Sequence, residues 1–300
     1  MPAAALVAVA CATLSAGCAI FGGKTPPPDY NENILSIVAD LQLNAQEDIY
    51  QFNYPVDVTG QNIFKATLVR VANFENLYPG KYPASVSYVK GLCYEKLGDY
   101  ALAVANYESC ERLKDPILSA RAAERADVLR RLNQILTSTS STGALQDMVL
   151  ESNRRIEQLK ELHRQLSTTS FNRLLLIEIE NAQTYHALLL KNNRYLLENG
   201  TQRTLEAMQT LIQEHAASKN LPRHYLMLAD FYFELAREYA ALNPPETHLF
   251  EWNEFESRIV PAQNYYYTVE KMDGYPEKLE GRYKLQAALQ FAQTIRRKSF

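Results

Sequence analysis

Between Pro83 and Pro116, small residues and tyrosines recur at spacings suited to two antiparallel helices in close contact. Gly91 and Ala103 would let two backbones approach, Tyr94 and Tyr107 would fill the space beside them, and Gly98 would permit the turn. Pro116 would stop the second helix. A hairpin of this kind cannot bury its apolar face alone, so the chain must supply further hairpins to stack against it. Composition points the same way. Only 11 Gly and 13 Pro are spread over 300 residues, too few for a barrel or sandwich that needs a turn about every ten residues. Leu, Ala, Gln, Glu and Arg are abundant, and these favour helix. The expected fold class is therefore all-α. With 47% hydrophobic and 22% charged residues the chain is not wholly disordered. A net charge of −3 with no clustered basic excess argues against a nucleic-acid partner.

The remainder reads as helix interrupted by short joints. One helix is expected from Glu32 to Gln51, and a second from Phe64 to Leu77, with a non-helical segment at Tyr54-Pro55-Val56 between them. Residues 116–166 read as a long antiparallel hairpin joined by the stretch from Thr137 to Gly143. Its charges, Glu151, Arg154, Arg155, Glu157, Lys160, Glu161 and Arg164, mark a solvated face, with a partner-binding face as the alternative. Phe171 to Asn199 is the most apolar helix, hence central, and Gly200 would end it. Helices at about 201–218, 222–242, 252–272 and 276–297 would complete the chain.

Leu97-Gly98-Asp99-Tyr100 followed by Ala101 and Ala103, with Gly91, Tyr94 and Tyr107, resembles the tetratricopeptide repeat (TPR). A degenerate copy at 222–276 aligns Leu228-Ala229-Asp230-Phe231-Tyr232 and Pro261 to Tyr266 with the clear unit at 83–116. The resemblance implies a TPR-like superhelical array of antiparallel helical hairpins over residues 30–300, with a concave surface lined by the first helix of each pair. The repeat's groove positions fall on Ser85, Tyr88, Leu92, Glu95 and Lys96 in the first unit. In the later one they fall on Arg223, Leu226, Asp230, Phe233 and Glu234. Such a lining would suit an extended peptide or a partner's helix. Equally, Tyr88, Leu92, Leu226 and Phe233 could pack against the neighbouring repeat. The run from Phe74 to Tyr100 is also similar to the repeat region of the lipoprotein subunit of the outer-membrane β-barrel assembly machinery, over roughly residues 60–116. That likeness implies a part in outer-membrane protein insertion; lipoproteins of pilus, secretin and transport assemblies fit nearly as well.

Residues 1–23 carry no charged side chain, and Ala3 to Leu14 form an apolar run too short to span a bilayer. Leu14-Ser15-Ala16-Gly17-Cys18 resembles the lipobox of bacterial lipoproteins. The resemblance implies a signal peptide at 1–17, acylation (palmitate among the chains) at Cys18, and attachment to the outer membrane facing the periplasm. Residue 19, an alanine and not aspartate, agrees with that destination. Residues 18–29, with Gly22-Gly23 and Pro26-Pro27-Pro28, have the composition of a tether. Cys93 and Cys110 would then be the remaining cysteines. They could cross-link if their Cα atoms lie within about 7 Å, or serve as small core fillers.

No constellation for catalysis emerges. His163, His186, His215, His224 and His248 stand singly, without a His-x-x-x-His pair, and read as surface or helix-end residues. Glu178 and Glu180 lie two apart, on different faces of a helix. No nucleophile elbow, phosphate loop or dinucleotide fingerprint is present. Most of the 19 tyrosines are expected as interhelix filler. The resulting expectation is a non-enzymatic scaffold, with no catalytic residue, metal or cofactor, that joins other cell-envelope proteins. The alternative is a ligand-binding or enzymatic envelope protein that uses the superhelix as a cavity.

Overall fold

A computed structural model describes residues 29–47, 58–138 and 143–298. Residues 1–28, on which the expected signal peptide, Cys18 and nearly all of the expected tether fall, lie outside the described residues, as do Tyr54-Pro55-Val56 and most of the joint after Thr137. Among those described there are eleven α-helices, one short 3-10 turn and no strand. The chain divides into two compact units, with the boundary between Ala126 and Asp127.

The first unit holds α1 (Tyr30–Glu47), α2 (Val58–Leu77), α3 (Pro83–Leu97), α4 (Tyr100–Arg112) and the opening turns of α5 (Leu118–Thr137). Ile34, Ile37 and Leu41 recur at helical spacing along α1 and share a core with Phe64, Val71 and Phe74 of α2 and Val86, Val89 and Cys93 of α3. Between α3 and α4 the chain turns at Gly98, whose φ of 79° is the left-handed conformation glycine tolerates best. The Asp99 carboxylate then accepts from the Leu102 N–H at 3.2 Å and caps α4. Ala103 and Tyr107 are fully buried against α3. Cys93 and Cys110 are free thiols, both buried; burial pushes the Cys93 thiol up to about 12, which removes it as a nucleophile.

Pro116 does not end α4. The helix closes at Arg112, and Lys114 takes a left-handed φ of 55°. Asp115 instead accepts from the N–H groups of Ile117 and Leu118 at 3.0 and 2.9 Å, so Pro116 lies in the capped entry to α5.

The second unit continues α5 and adds α6 (Leu145–Leu166), α7 (Asn172–Asn192), the 3-10 turn Arg194–Leu196, α8 (Gly200–Glu214), α9 (Leu221–Leu242), α10 (Trp252–Glu270) and α11 (Glu277–Lys298). Arg131 donates to Gln165 at 2.6 Å while Ser138 donates to Glu151 at 2.7 Å, so α5 and α6 run antiparallel. From α6 to α11 each helix packs on the next, and α9 also touches α11. Alanines at 229, 236, 262 and 288 have no exposed surface at the α9–α10–α11 contacts, where Phe255, Ile259 and Tyr266 fill the centre.

Gly200 opens a helix where it was expected to close one. A Cβ there would sit 2.0 Å from the carbonyl oxygen of Arg194, so the glycine serves a backbone crossing. The preceding turn is pinned by the Arg194 guanidinium. It donates to Glu234 at 2.7 Å and to Glu238, and stacks over Tyr195 and Phe231 at 4.4 and 5.2 Å from the ring centres.

Candidate functional site

Along α3, Ser85, Tyr88, Leu92 and Lys96 are half-buried. Tyr88 meets Tyr107 edge to face, 5.5 Å between centres, and Leu92 packs on the first unit's core. Glu95 is different, being only 3% exposed. Arg125 of α5 grips it with two bonds, Nη2 to Oε1 at 2.7 Å and Nε to Oε2 at 2.9 Å, and the Tyr107 hydroxyl donates to the same Oε2 at 2.9 Å. Burial works to lower the Arg125 pKa, but the Glu95 bond and charge more than reverse it; burial and Glu95 together push the Tyr107 hydroxyl up. Glu95 therefore ties three helices together, and of its groove companions Ser85, Tyr88 and Lys96 keep partial exposure outside the core.

In the second unit the corresponding positions make contacts inside the fold. Leu226 is a core residue, 5% exposed. Phe233 meets Phe291 of α11 edge to face at 5.5 Å. Asp230 accepts from the Tyr266 hydroxyl at 2.6 Å and from Lys284 Nζ at 2.7 Å. Glu234 pairs with Arg194 and, at 3.0 Å, with Lys191. Arg223, 43% exposed, gives its Nε proton to Glu277 at 2.9 Å. Helix α9 has so many neighbours that little of its inner face is left for a partner.

The charged chemistry that sequence reading missed lies between α7, α8 and α9. His186, His215 and His224 are buried, 9%, 8% and 5% exposed, so none is a surface residue, although His215 does stand at a helix end, as the cap of α8. His163 is half-buried beside Asn172 at 2.6 Å, and His248 is exposed. Glu180 is 5% exposed, and its Oε1 lies 2.6 Å from Nε2 of His224. Burial raises the Glu180 pKa, but hydrogen bonds from His224 and Ser218 and the nearby imidazole charges outweigh it and hold the carboxyl below the usual range. His215 Nε2 stands 2.5 Å from the Gln183 side-chain oxygen, and the Gln183 amide donates to Glu214 at 2.6 Å. Lys160 completes the chain with a 2.9 Å bond to Glu214. Burial lowers His215, opposed by Glu180.

Beside this network is a cavity of about 160 Å³. Glu180, Asn181 and Thr184 line it from α7; Asn220, Arg223, His224 and Met227 line it from the start of α9. A buried carboxylate–imidazole pair at a cavity wall can receive a polar guest. The first unit has a wider, more open cleft between α1 and α2, where Arg70 is committed to Asp40 at 2.6 Å and Ser36 at 3.0 Å.

Among the described residues no group of three His, Cys, Asp or Glu stands close enough to hold a metal ion. No described helix is long and apolar enough to cross a membrane. Comparison with protein-family models, curated proteins and solved structures gives no match to this chain.

Proposed function

We propose that the protein is a non-enzymatic TPR-like scaffold, tethered through acylated Cys18 to the periplasmic face of the outer membrane, that holds other cell-envelope proteins in an assembly. The observation that carries the reading is the α3–α4 hairpin. Gly91 and Ala103 bring two helices together over Tyr107, and Gly98 turns the chain, the arrangement for which the repeat signature selects its small and aromatic residues. The partly exposed Ser85, Tyr88 and Lys96 on α3 are the surface offered to a partner, and the lipobox-like run ending at Cys18 supports the anchor.

The test has two arms. Palmitate labelling and membrane fractionation of the full chain and of Cys18→Ser examine the anchor; label and retention lost together in the variant support it, and an unlabelled, freely soluble wild type sinks it. A photo-crosslinking residue at position 88, against the same residue at the 74%-exposed position 283, examines the groove. Discrete adducts from 88 alone support the scaffold, and equal or no adducts from both positions overturn it.

A second reading, a ligand-binding envelope protein, is favoured by one observation: the cavity walled by Glu180 and His224.

A further inference from the structure

The joint between α7 and α8 carries the one Asn-Gly pair in the chain, Asn199-Gly200. Each residue answers a demand of the fold. Asn199 stands at φ 51° and ψ 31°, in the left-handed region that asparagine enters more readily than most side chains. Gly200 follows because the Arg194 carbonyl oxygen leaves no space for a Cβ. Together they make a reactive dipeptide. A backbone nitrogen that follows asparagine can attack the side-chain carbonyl carbon, and glycine, with no Cβ to shield that nitrogen, permits the attack most readily. Asn199 is exposed and its side chain caps no backbone N–H, so its amide is open to solvent.

The native joint opposes the attack. At ψ 31° the Gly200 nitrogen lies almost opposite the Asn199 Cβ across the Cα–C bond, whereas closing the five-membered ring needs the two eclipsed. The proton on that nitrogen is donated to the Leu197 carbonyl at 3.1 Å, and the Asn199 carbonyl accepts from the Arg203 N–H at 2.9 Å. Turning ψ would break both bonds and draw Gly200 out of its crossing. The Arg194 guanidinium, bound to Glu234 and Glu238, fixes the other side of that crossing. We propose that Asn199 is a site of spontaneous deamidation, held back by the closed α7–α8 joint and released when the joint opens. The Gly200 nitrogen gives up its proton to water and bonds to Asn199 Cγ, and the side-chain nitrogen leaves as ammonia. Water then opens the cyclic imide at either carbonyl, which leaves aspartate or isoaspartate at position 199. Because ammonia escapes the change is one-way, and its extent records how long the joint has stood open. The site takes no part in the scaffold reading, and either can fail without the other.

The experiment incubates the full chain at neutral pH, folded and in concentrated guanidinium chloride, and follows the tryptic peptide Tyr195–Arg203 by mass spectrometry. Exchange of amide for carboxylate raises the mass of this peptide, whereas isomerisation at Asp273-Gly274 changes no mass and falls elsewhere. The gain at Asn199 should accumulate faster in the unfolded chain by about tenfold or more. Glu238→Gln removes one anchor of Arg194 from a side chain that is 33% exposed. While folded, this variant should show faster hydrogen exchange at 194–204 and deamidate about threefold faster than wild type. No mass gain in the unfolded chain, equal rates in the two states, or a Glu238→Gln joint that exchanges faster without deamidating faster would each overturn the proposal.

Discussion

A Cβ built on Gly91 would stand 2.7 Å from the ring of Tyr107, closer than side-chain carbons pack. The glycine is therefore set by the neighbouring helix, since within α3 itself alanine would be favoured by about 1 kcal/mol. Gly91→Ala should lower the unfolding free energy by about 1 to 2 kcal/mol, the clash outweighing the helical gain. In a Tyr107→Ala background the ring is gone and the same substitution should stabilise. A urea-unfolding double-mutant cycle checks this. Equal effects in both backgrounds would show that the ring does not set the glycine.

The Glu95–Arg125 pair gives a second expectation. Glu95 is 4% exposed at its side chain and Arg125 19%, so removing Arg125 leaves the Glu95 carboxylate buried without its cation. Arg125→Ala should cost about 3 to 5 kcal/mol, whereas replacing both by Leu and Met of similar volume should cost much less. Arg125→Lys should fall between the two, because a single ammonium cannot reproduce the bonds from Nε and Nη2 to both carboxylate oxygens. Chemical denaturation of the three variants orders them, and a double variant as damaged as Arg125→Ala would refute the pairing argument.

What could be read in advance depended on sequence separation. Gly91, Gly98, Ala103 and Tyr107 lie within one hairpin, where helical period and turn chemistry determine which residues meet. Glu180 and His224 lie 44 residues apart on helices brought together only by the packing of α7, α8 and α9, so single-residue inspection assigned the histidines to the surface or to helix ends and missed the pair. A local signal did exist: Glu180 and Gln183 share the face of α7 that carries Ala187 and Leu190, all buried, and a polar pair on an apolar stripe calls for partners. Gly200 was misplaced for a related reason. A glycine after a helical run reads as a terminator, and only the path of the Arg194 backbone reveals a crossing.

That crossing makes a sharp prediction. At Gly200 the obstructing atom is a backbone oxygen, which cannot swing aside as a side chain can. Gly200→Ala should therefore exceed Gly91→Ala in cost, at about 3 kcal/mol or more, and should loosen the Arg194 turn along with it. Hydrogen exchange at the amides of 194–204 checks the location of the damage. Unchanged protection there with full stability would contradict the close approach.

His186 supplies the pH dependence. Its Nδ1 lies 2.7 Å from Ser152 Oγ, and that hydroxyl in turn donates to the Val149 carbonyl at 2.8 Å, so Nδ1 carries a proton and donates to the hydroxyl. Burial, then the charge of Arg203, pushes its pKa down to about 4 from an ordinary 6.5. Above pH 6.5 neither the folded nor the unfolded chain protonates this group and its stabilising share is whole. As pH falls below 6.5 the unfolded state takes up the proton first, so stability declines until about pH 4, where the folded state is protonated too. By pH 4.5 the loss from this one residue should be on the order of 2 to 3 kcal/mol. His215, lowered by burial as well, adds to the decline in the same direction. His186→Asn keeps a polar group facing Ser152 and removes the titration. Its stability should be lower than wild type at pH 7 and should fall less steeply between pH 7 and 4.5. Parallel urea titrations of the two proteins at both pH values measure that difference, and identical slopes would show that His186 is not held neutral by the fold.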